Sequence, residues 1–398
     1  MPISFGAHPP KDALAWFRAK GVKPGFDYRD VWREEHSSAF TVAKAMEVDV
    51  LKDVRAAVDK ALAEGKTFAQ FSAELGPKLQ KAGWWGKKEM VDPLTGEVRA
   101  VQLGSPRRLK TIYDTNLRTA RAAGQWERIQ RTQATHPYLL YELGPAEHHR
   151  EEHVAWAGTL LPVDDSWWRT HYPPNGWGCK CRVRQVSRHE YERLGKQGGI
   201  KTAAPPSRDR AWKNTRTGET LGVPEGIDPG WDYNPGMVGR EAAALSHLSD
   251  TLDSAPTDVA KRAVGNLVGG DGFKAWFAAP HGDYPVAMLP AADSELLGAA
   301  TRVVRFSTAS HAKQLAEHPE LGIDEYAAIQ RVLDEGERIQ DSDLSLIHLL
   351  EEDGYVTVVK ATRTGRALYL TSFRRLSGQQ AKRDREILRL RRKDKPRS

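Results

Sequence analysis

Prolines divide this chain. Between Glu190 and Gly239 they stand at Pro205-Pro206, Pro224, Pro229 and Pro235. A residue that fixes its own φ and lacks an N–H does not recur at that frequency inside a helix or a central strand. The stretch reads as a linker, with a boundary near residues 200–240, and the two sides keep different rhythms. Before it the apolar residues recur at helical spacing; after about residue 302 they alternate with period two. The fold class expected is therefore α+β and multidomain. Residues 1–200 form a mainly helical region carrying an irregular Trp/Pro/Cys-rich segment, and 200–240 a Pro/Gly-rich linker. Residues 240–375 form a small α+β domain with an antiparallel meander, and 376–398 a basic tail.

The local signals are specific. Ala13 to Lys20 is a short apolar helix broken at Gly21 and Pro24. Val42 to Glu64 places Leu51, Val54, Val58 and Leu62 on one helical face. Thr67 and Gln70 form a capping box that opens a further helix, which Gly76-Pro77 is expected to interrupt. Val91 to Leu103, with Asp92-Pro93 and Thr95-Gly96, reads as a hairpin or extended loop. Ser105 and Pro106 start the clearest helix, with Leu109, Ile112, Tyr113, Leu117 and Ala120 as its apolar stripe. Beyond the linker, Arg302–Ser307 is a strand, and Ser310–Glu317 and Asp324–Leu333 are helices. Ser345–Leu350, Tyr355–Ala361 and Ala367–Phe373 are strands, the first two joined through Asp353-Gly354.

Composition excludes several classes. The 398 residues are 40% hydrophobic and 28% charged, ordinary for a globular chain with room for two or three cores. No apolar run approaches the ~20 residues a membrane span needs. Met1 to Pro10 lacks the charged and apolar regions of a signal peptide, so synthesis in the cytosol is expected and no membrane partner. Cys179 and Cys181 are the two cysteines, one residue apart, which is no disulfide framework. Twelve tryptophans, most before residue 232, suit either subunit contacts or core filling. The net charge of +7 is local: Arg374 to Ser398 holds eleven Lys/Arg and three Asp/Glu, a net +8, leaving −1 for the rest. Such a tail reads either as a phosphate-neutralising arm or as a solvated, frayed helix.

The most distinctive residues lie between Arg107 and Val186. Arg108-Leu109-Lys110-Thr111-Ile112-Tyr113-Asp114-Thr115-Asn116-Leu117-Arg118-Thr119-Ala120 is followed by Gly124-Gln125-Trp126-Glu127-Arg128. Then come Arg150-Glu151-Glu152-His153 with Trp156 and Gly158, and Pro173-Pro174-Asn175-Gly176-Trp177-Gly178-Cys179-Lys180-Cys181. In combination these motifs, with His8-Pro9-Pro10-Lys11-Asp12-Ala13, resemble the phage Mu protein F-like minor head proteins over roughly residues 5–190. The more distant head-morphogenesis relatives tend to show Asn-Cys-Arg-Cys. Here Asn175 is separated from the cysteines and Lys180 replaces the arginine. The resemblance implies a minor capsid-associated protein acting in prohead assembly. Its expected location is the prohead and virion, and the bacterial cytoplasm during assembly. Its expected partners are capsid, portal or scaffold proteins and packaged DNA. It implies no reaction.

Two chemical readings come with these residues. Cys179 and Cys181 are soft ligands, and His148, His149, His153 and His171 lie nearby in sequence; zinc on Cys179, Cys181, His153 and one further histidine would staple a loop-rich region. The alternative is a pair of buried thiols and a hydrogen-bonded His153. The C-terminal domain, in turn, resembles the barnase–EndoU–RelE class of metal-independent ribonucleases carried by some Mu F-like proteins. That resemblance implies His311 as acid or base, Lys360, Arg363 and Arg374 as phosphate clamps and Thr371 as a positioning group, with the basic C-terminus holding host RNA. The chemistry requires these side chains to line one cleft, with His311 facing Lys360 and Thr371. The competing reading is a DNA- or capsid-binding module without catalysis.

Overall fold

The computed structural model describes residues 10–394, apart from 32, 34, 217, 219, 279 and 281, and the side chains of 238–243. The His8-Pro9 pair quoted above lies outside the described residues. Two compact units emerge: Met1–Trp212 with Gly222–Ala243, and Lys213–Leu221 with Ala244–Ser398. The class is α+β, as the two rhythms imply.

The first unit is organised by the helix Pro106–Thr132. Ser105 caps it by accepting from the Arg108 amide, and the apolar face runs past the predicted stripe through Ala123, Trp126 and Ile129. Helices Lys11–Arg18, Val48–Glu64 and Phe68–Lys81 pack with it into one core containing Phe17, Leu51, Val58, Phe71 and Leu109. The Thr67–Gln70 box forms as expected. Gly76-Pro77 does not break its helix, because Pro77 sits inside Phe68–Lys81. An interior proline costs ~3 kcal/mol. Burying Phe71, Leu75 and Leu79 contributes ~1.5–3 kcal/mol each, so packing outweighs the lost bond. The predicted hairpin pairs Lys87–Val91 with Val98–Gln102 and stands largely in solvent.

A second core in the same unit gathers the tryptophans: Trp126, Trp156, Trp167, Trp168 and Trp231 close over Tyr141, Tyr172 and Ile227. Of the two roles open to these rings, core filling accounts for these five. The sheet beside them has three strands, Leu160–Pro162, Tyr138–Glu142 and Arg182–Val186, with Tyr138–Glu142 central and antiparallel to both.

The stretch expected as a linker is ordered. Asp209–Lys213 and Thr220–Pro224 pair as a hairpin, and Leu221, Val223, Ile227, Trp231 and Tyr233 are buried. The prolines mark element ends instead of flexibility: Pro224 ends a strand, and Pro235 opens the helix Pro235–Ser254. Asn234 Oδ1 accepts the amides of Gly236 and Met237 at that helix start.

The second unit is built on a six-stranded sheet. Its order is Tyr284–Met288, Val303–Phe306, Leu368–Arg375, Tyr355–Ala361, Ser345–Leu350, Glu337–Ser342. All neighbours are antiparallel except Val303–Phe306 with Leu368–Arg375. The predicted meander is there, with the predicted strand Val303–Phe306 beside it; the two edge strands, Tyr284–Met288 and Glu337–Ser342, the sequence reading did not mark. One face carries the large core of Trp276, Phe306, Tyr326, Val359, Ala361 and Phe373. The other, with Ile347, Leu349 and Val356, is covered by Ile387 and Leu390 of the helix Gln380–Arg391. That helix occupies most of the expected basic tail. It is packed, not frayed: Arg391 pairs with Glu337 and Glu351, and Arg374 with Glu386.

Candidate metal centre

Three of the residues singled out in the sequence meet inside the tryptophan-rich core. His153 comes from the short helix Glu151–Trp156; Cys179 and Cys181 come from the loop that enters the strand Arg182–Val186. In an extended segment, residues i and i+2 point the same way, so both sulfurs face inward while Lys180 is exposed. The His153 Nδ1 lies 3.5 Å from Cys181 Sγ and 3.9 Å from Cys179 Sγ. The three donor atoms all fall within 4.8 Å of one another. His153 is 3% exposed and Cys179 8%, and Cys181 is half-buried.

Each member is held from outside. The His153 Nε2 is 2.9 Å from the Gly226 carbonyl. A carbonyl only accepts, so the proton sits on Nε2 and the Nδ1 lone pair faces the sulfurs. The ring stacks on Trp156, with centroids 4.8 Å apart. Gly226 has φ +83°, and a Cβ there would come within 2.8 Å of Trp156, so only glycine brings its carbonyl to the histidine. Arg118 of the long helix donates to the Cys179 carbonyl at 2.6 Å, fixing the loop. The Gly144 amide and the Tyr141 hydroxyl approach Cys181, and the Asn175 amide approaches Cys179. Hydrogen bonding between the thiols pulls Cys181 down to about 6 and pushes Cys179 up.

The Pro-Pro-Asn-Gly-Trp motif forms the wall. Asn175 is fully buried and its Oδ1 accepts the Tyr141 hydroxyl at 3.0 Å. Arg150 donates to Asp228 at 2.7 Å, and the same carboxylate oxygen accepts the Trp177 amide at 2.7 Å. This pair passes over Gly176, where a Cβ would lie 2.4 Å from both Arg150 and Asp228. Trp177 is turned outward, 43% exposed, edge-on to Tyr28 and Trp231.

The further histidine ligand expected from sequence is not found among the described residues. His171 stacks on Trp167 at 4.6 Å and meets Thr170; burial pushes it down to about 4. His149 contacts the Gly144 carbonyl, and His148 lies in solvent beside Glu147. Gly226 and Asp228 escaped the sequence reading. The turn residues Asp228-Pro229-Gly230 marked a bend there, but nothing local marks which carbonyl or carboxylate it delivers.

The five residues named for phosphate chemistry do not line one cleft. His311 is 4% exposed and boxed by Phe277, Trp276 and Phe306, at 4.4, 5.5 and 5.6 Å between ring centroids. One ring nitrogen meets the Phe277 backbone; Nε2 has no hydrogen-bond partner, and burial lowers the pKa. These rings belong to the core that also holds Val359 and Ala361, so Lys360, between them and exposed, lies on the opposite face of the sheet. Arg363 is in the turn after that strand, within 3.4 Å of the Thr215 carbonyl. Thr371 donates to the Val358 carbonyl at 3.2 Å, and Arg374 is paired with Glu386. The expected convergence fails because alternation along the strand sends Lys360 away from the histidine. The same unit holds a polar pair that sequence reading missed. His348, 1% exposed, meets Asp293 at 2.8 Å, and Arg338 adds a second bond at 2.7 Å.

The chain is similar to known proteins. The putative capsid assembly protein F of Escherichia phage Mu is 39% identical over 259 residues, 62% of this chain and 59% of that protein. The Mu-like prophage FluMu F protein of Haemophilus influenzae is 34% identical over 234 residues, 54% of this chain and 55% of that protein. The chain thus spans rather more than half the length of each relative. No solved structure matches it. Residues 52–184, which hold His153 and both cysteines, match the family described as phage Mu protein F like protein. Through that segment the chain is similar to the phage Mu protein F-like family.

Proposed function

We propose that this protein acts in assembling the head of a tailed phage. It would work in the bacterial cytoplasm and then within proheads and virions, against capsid, portal or scaffold proteins. The observation that carries the reading is the 39% identity to a protein named for capsid assembly. No helix among the described residues is long and apolar enough to cross a membrane. Quantitative mass spectrometry of purified proheads and virions is the test. Peptides from this chain should co-purify with both particles at a fixed ratio to the major capsid protein. Their absence from both defeats the reading.

For the second unit, the reading without catalysis has the better support. A general acid–base histidine must reach substrate within ~2.6–3.2 Å, and His311 is enclosed by aromatic rings on the far face from Lys360. Lys382, Arg385, Arg389 and Arg392 are exposed along the C-terminal helix and suit a contact with packaged DNA or an acidic partner surface.

A further inference from the structure

We infer that the Mu F-like segment holds one zinc ion on Cys179 Sγ, Cys181 Sγ and His153 Nδ1, as a structural staple. The inference stands on the cluster's own geometry and is independent of the head-assembly reading.

Distance is the first argument. Zinc bonds of ~2.3 Å to sulfur and ~2.0–2.1 Å to nitrogen in a tetrahedron place sulfur and nitrogen ~3.6 Å apart. The observed separations of 3.5 and 3.9 Å bracket that edge. The ion fits with only small shifts of the three side chains.

The second argument is the proton. With Nε2–H committed to the Gly226 carbonyl, Nδ1 presents a lone pair to the sulfurs. A metal-bound histidine is oriented in this way, its other ring N–H donated to a carbonyl or carboxylate. The amides of Gly144 and Asn175 approach the sulfurs. These donors match thiolates better than thiols. Without a cation, two buried thiolates are prohibitive. With a divalent ion, two thiolates and a neutral imidazole sum to zero charge, which a site this enclosed tolerates.

The donor set chooses the metal and the role. Two thiolates and an imidazole suit zinc, not magnesium or calcium, which take oxygen ligands. Among the described residues no fourth His, Cys, Asp or Glu joins the group, so the fourth position goes to a water. The consequence is mechanical: the ion ties the helix Glu151–Trp156 to the loop that Arg118 holds against the long helix.

The test uses the full chain, purified reduced and without chelator. Elemental analysis should give about one zinc per chain. The Cys179→Ser/Cys181→Ser and His153→Ala variants should retain little, while Lys180→Ala keeps it. Because those variants can fail to fold, the wild-type chain supplies a second measurement. After chelation, cobalt should bind one per chain with a sulfur-to-cobalt charge-transfer band and the intense visible bands of a tetrahedral ion. His153→Cys should restore binding with a stronger charge-transfer band. A metal-poor wild-type chain that gives no thiolate–cobalt band overturns the inference. So does zinc retained in full by the double serine variant.

Discussion

Two buried histidines, His153 and His311, were chosen from the sequence for chemistry, and the surroundings of each explain why one found partners and the other did not. His153 lies in an irregular segment, where prolines and glycines let the chain bend until the carbonyl of Gly226 and two sulfurs surround one ring. His311 lies on a helix over a regular sheet, where period-two alternation decides which side chains it can meet. Its neighbours are Phe277, Trp276 and Phe306, and the cations proposed to work with it fall on another face or in a turn. Irregular backbone can converge polar groups from distant positions; a regular sheet separates groups that are adjacent in sequence.

The largest effect tests whether the second unit has a polar centre of its own. Asp293→Ala should cost about 3–5 kcal/mol, because it leaves buried His348 and the Arg338 guanidinium without their carboxylate. Chemical denaturation of the full chain, followed by fluorescence, measures it. The pH dependence has a defined sign. Burial pushes the Asp293 carboxyl up, but the bonds from His348 and Arg338 more than offset this and hold it low. A carboxyl depressed in the folded state stabilises above its unfolded value of ~3.9, and that contribution is lost as pH falls through the folded pKa. The gap between wild type and variant should therefore close below about pH 4. A loss under about 1 kcal/mol at pH 7 would show the triad to be incidental.

Next comes His153→Leu, which keeps the volume but strands the Gly226 carbonyl and removes the nitrogen facing the sulfurs. A loss of about 2 kcal/mol is expected in metal-free protein, measured as a shift in the denaturation midpoint. The smallest effect belongs to His311→Leu. Its Nε2 is already unpartnered, so an apolar replacement of similar size should cost about 1 kcal/mol or less. The same variant answers the ribonuclease question: any RNA cleavage by the chain should be unchanged in it. If His311→Leu costs as much as His153→Leu, the contrast between the two settings collapses.

What the sequence disclosed follows the same division. The helix at Ser105-Pro106, the Thr67–Gln70 box and the strands Ser345–Leu350 and Tyr355–Ala361 were legible, because caps and alternation are local signals. Pro77 misled, because the burial that overrides it comes from residues elsewhere in the chain. So did the prolines of 200–240, which mark boundaries of ordered elements as readily as they mark linkers. Around His153, the sequence singled out His153, Cys179 and Cys181, which do converge, whereas Gly226, Asp228 and Tyr141 act through a carbonyl, a carboxylate and a hydroxyl brought in by the fold.

The Arg150–Asp228 pair over Gly176 bears on where this protein can be cut or recombined. The segment that matches the family model ends at residue 184, yet Gly226 and Asp228, which complete its loop, lie some forty residues further on. A fragment ending at residue 184 would expose Trp156 and Trp231's empty seat, and would leave the Arg150 guanidinium and the His153 N–H without acceptors. A graft joined at that residue would inherit the same defect unless the incoming segment supplied an equivalent carbonyl and carboxylate. The natural seam for grafting lies past Asn234, which caps the following helix.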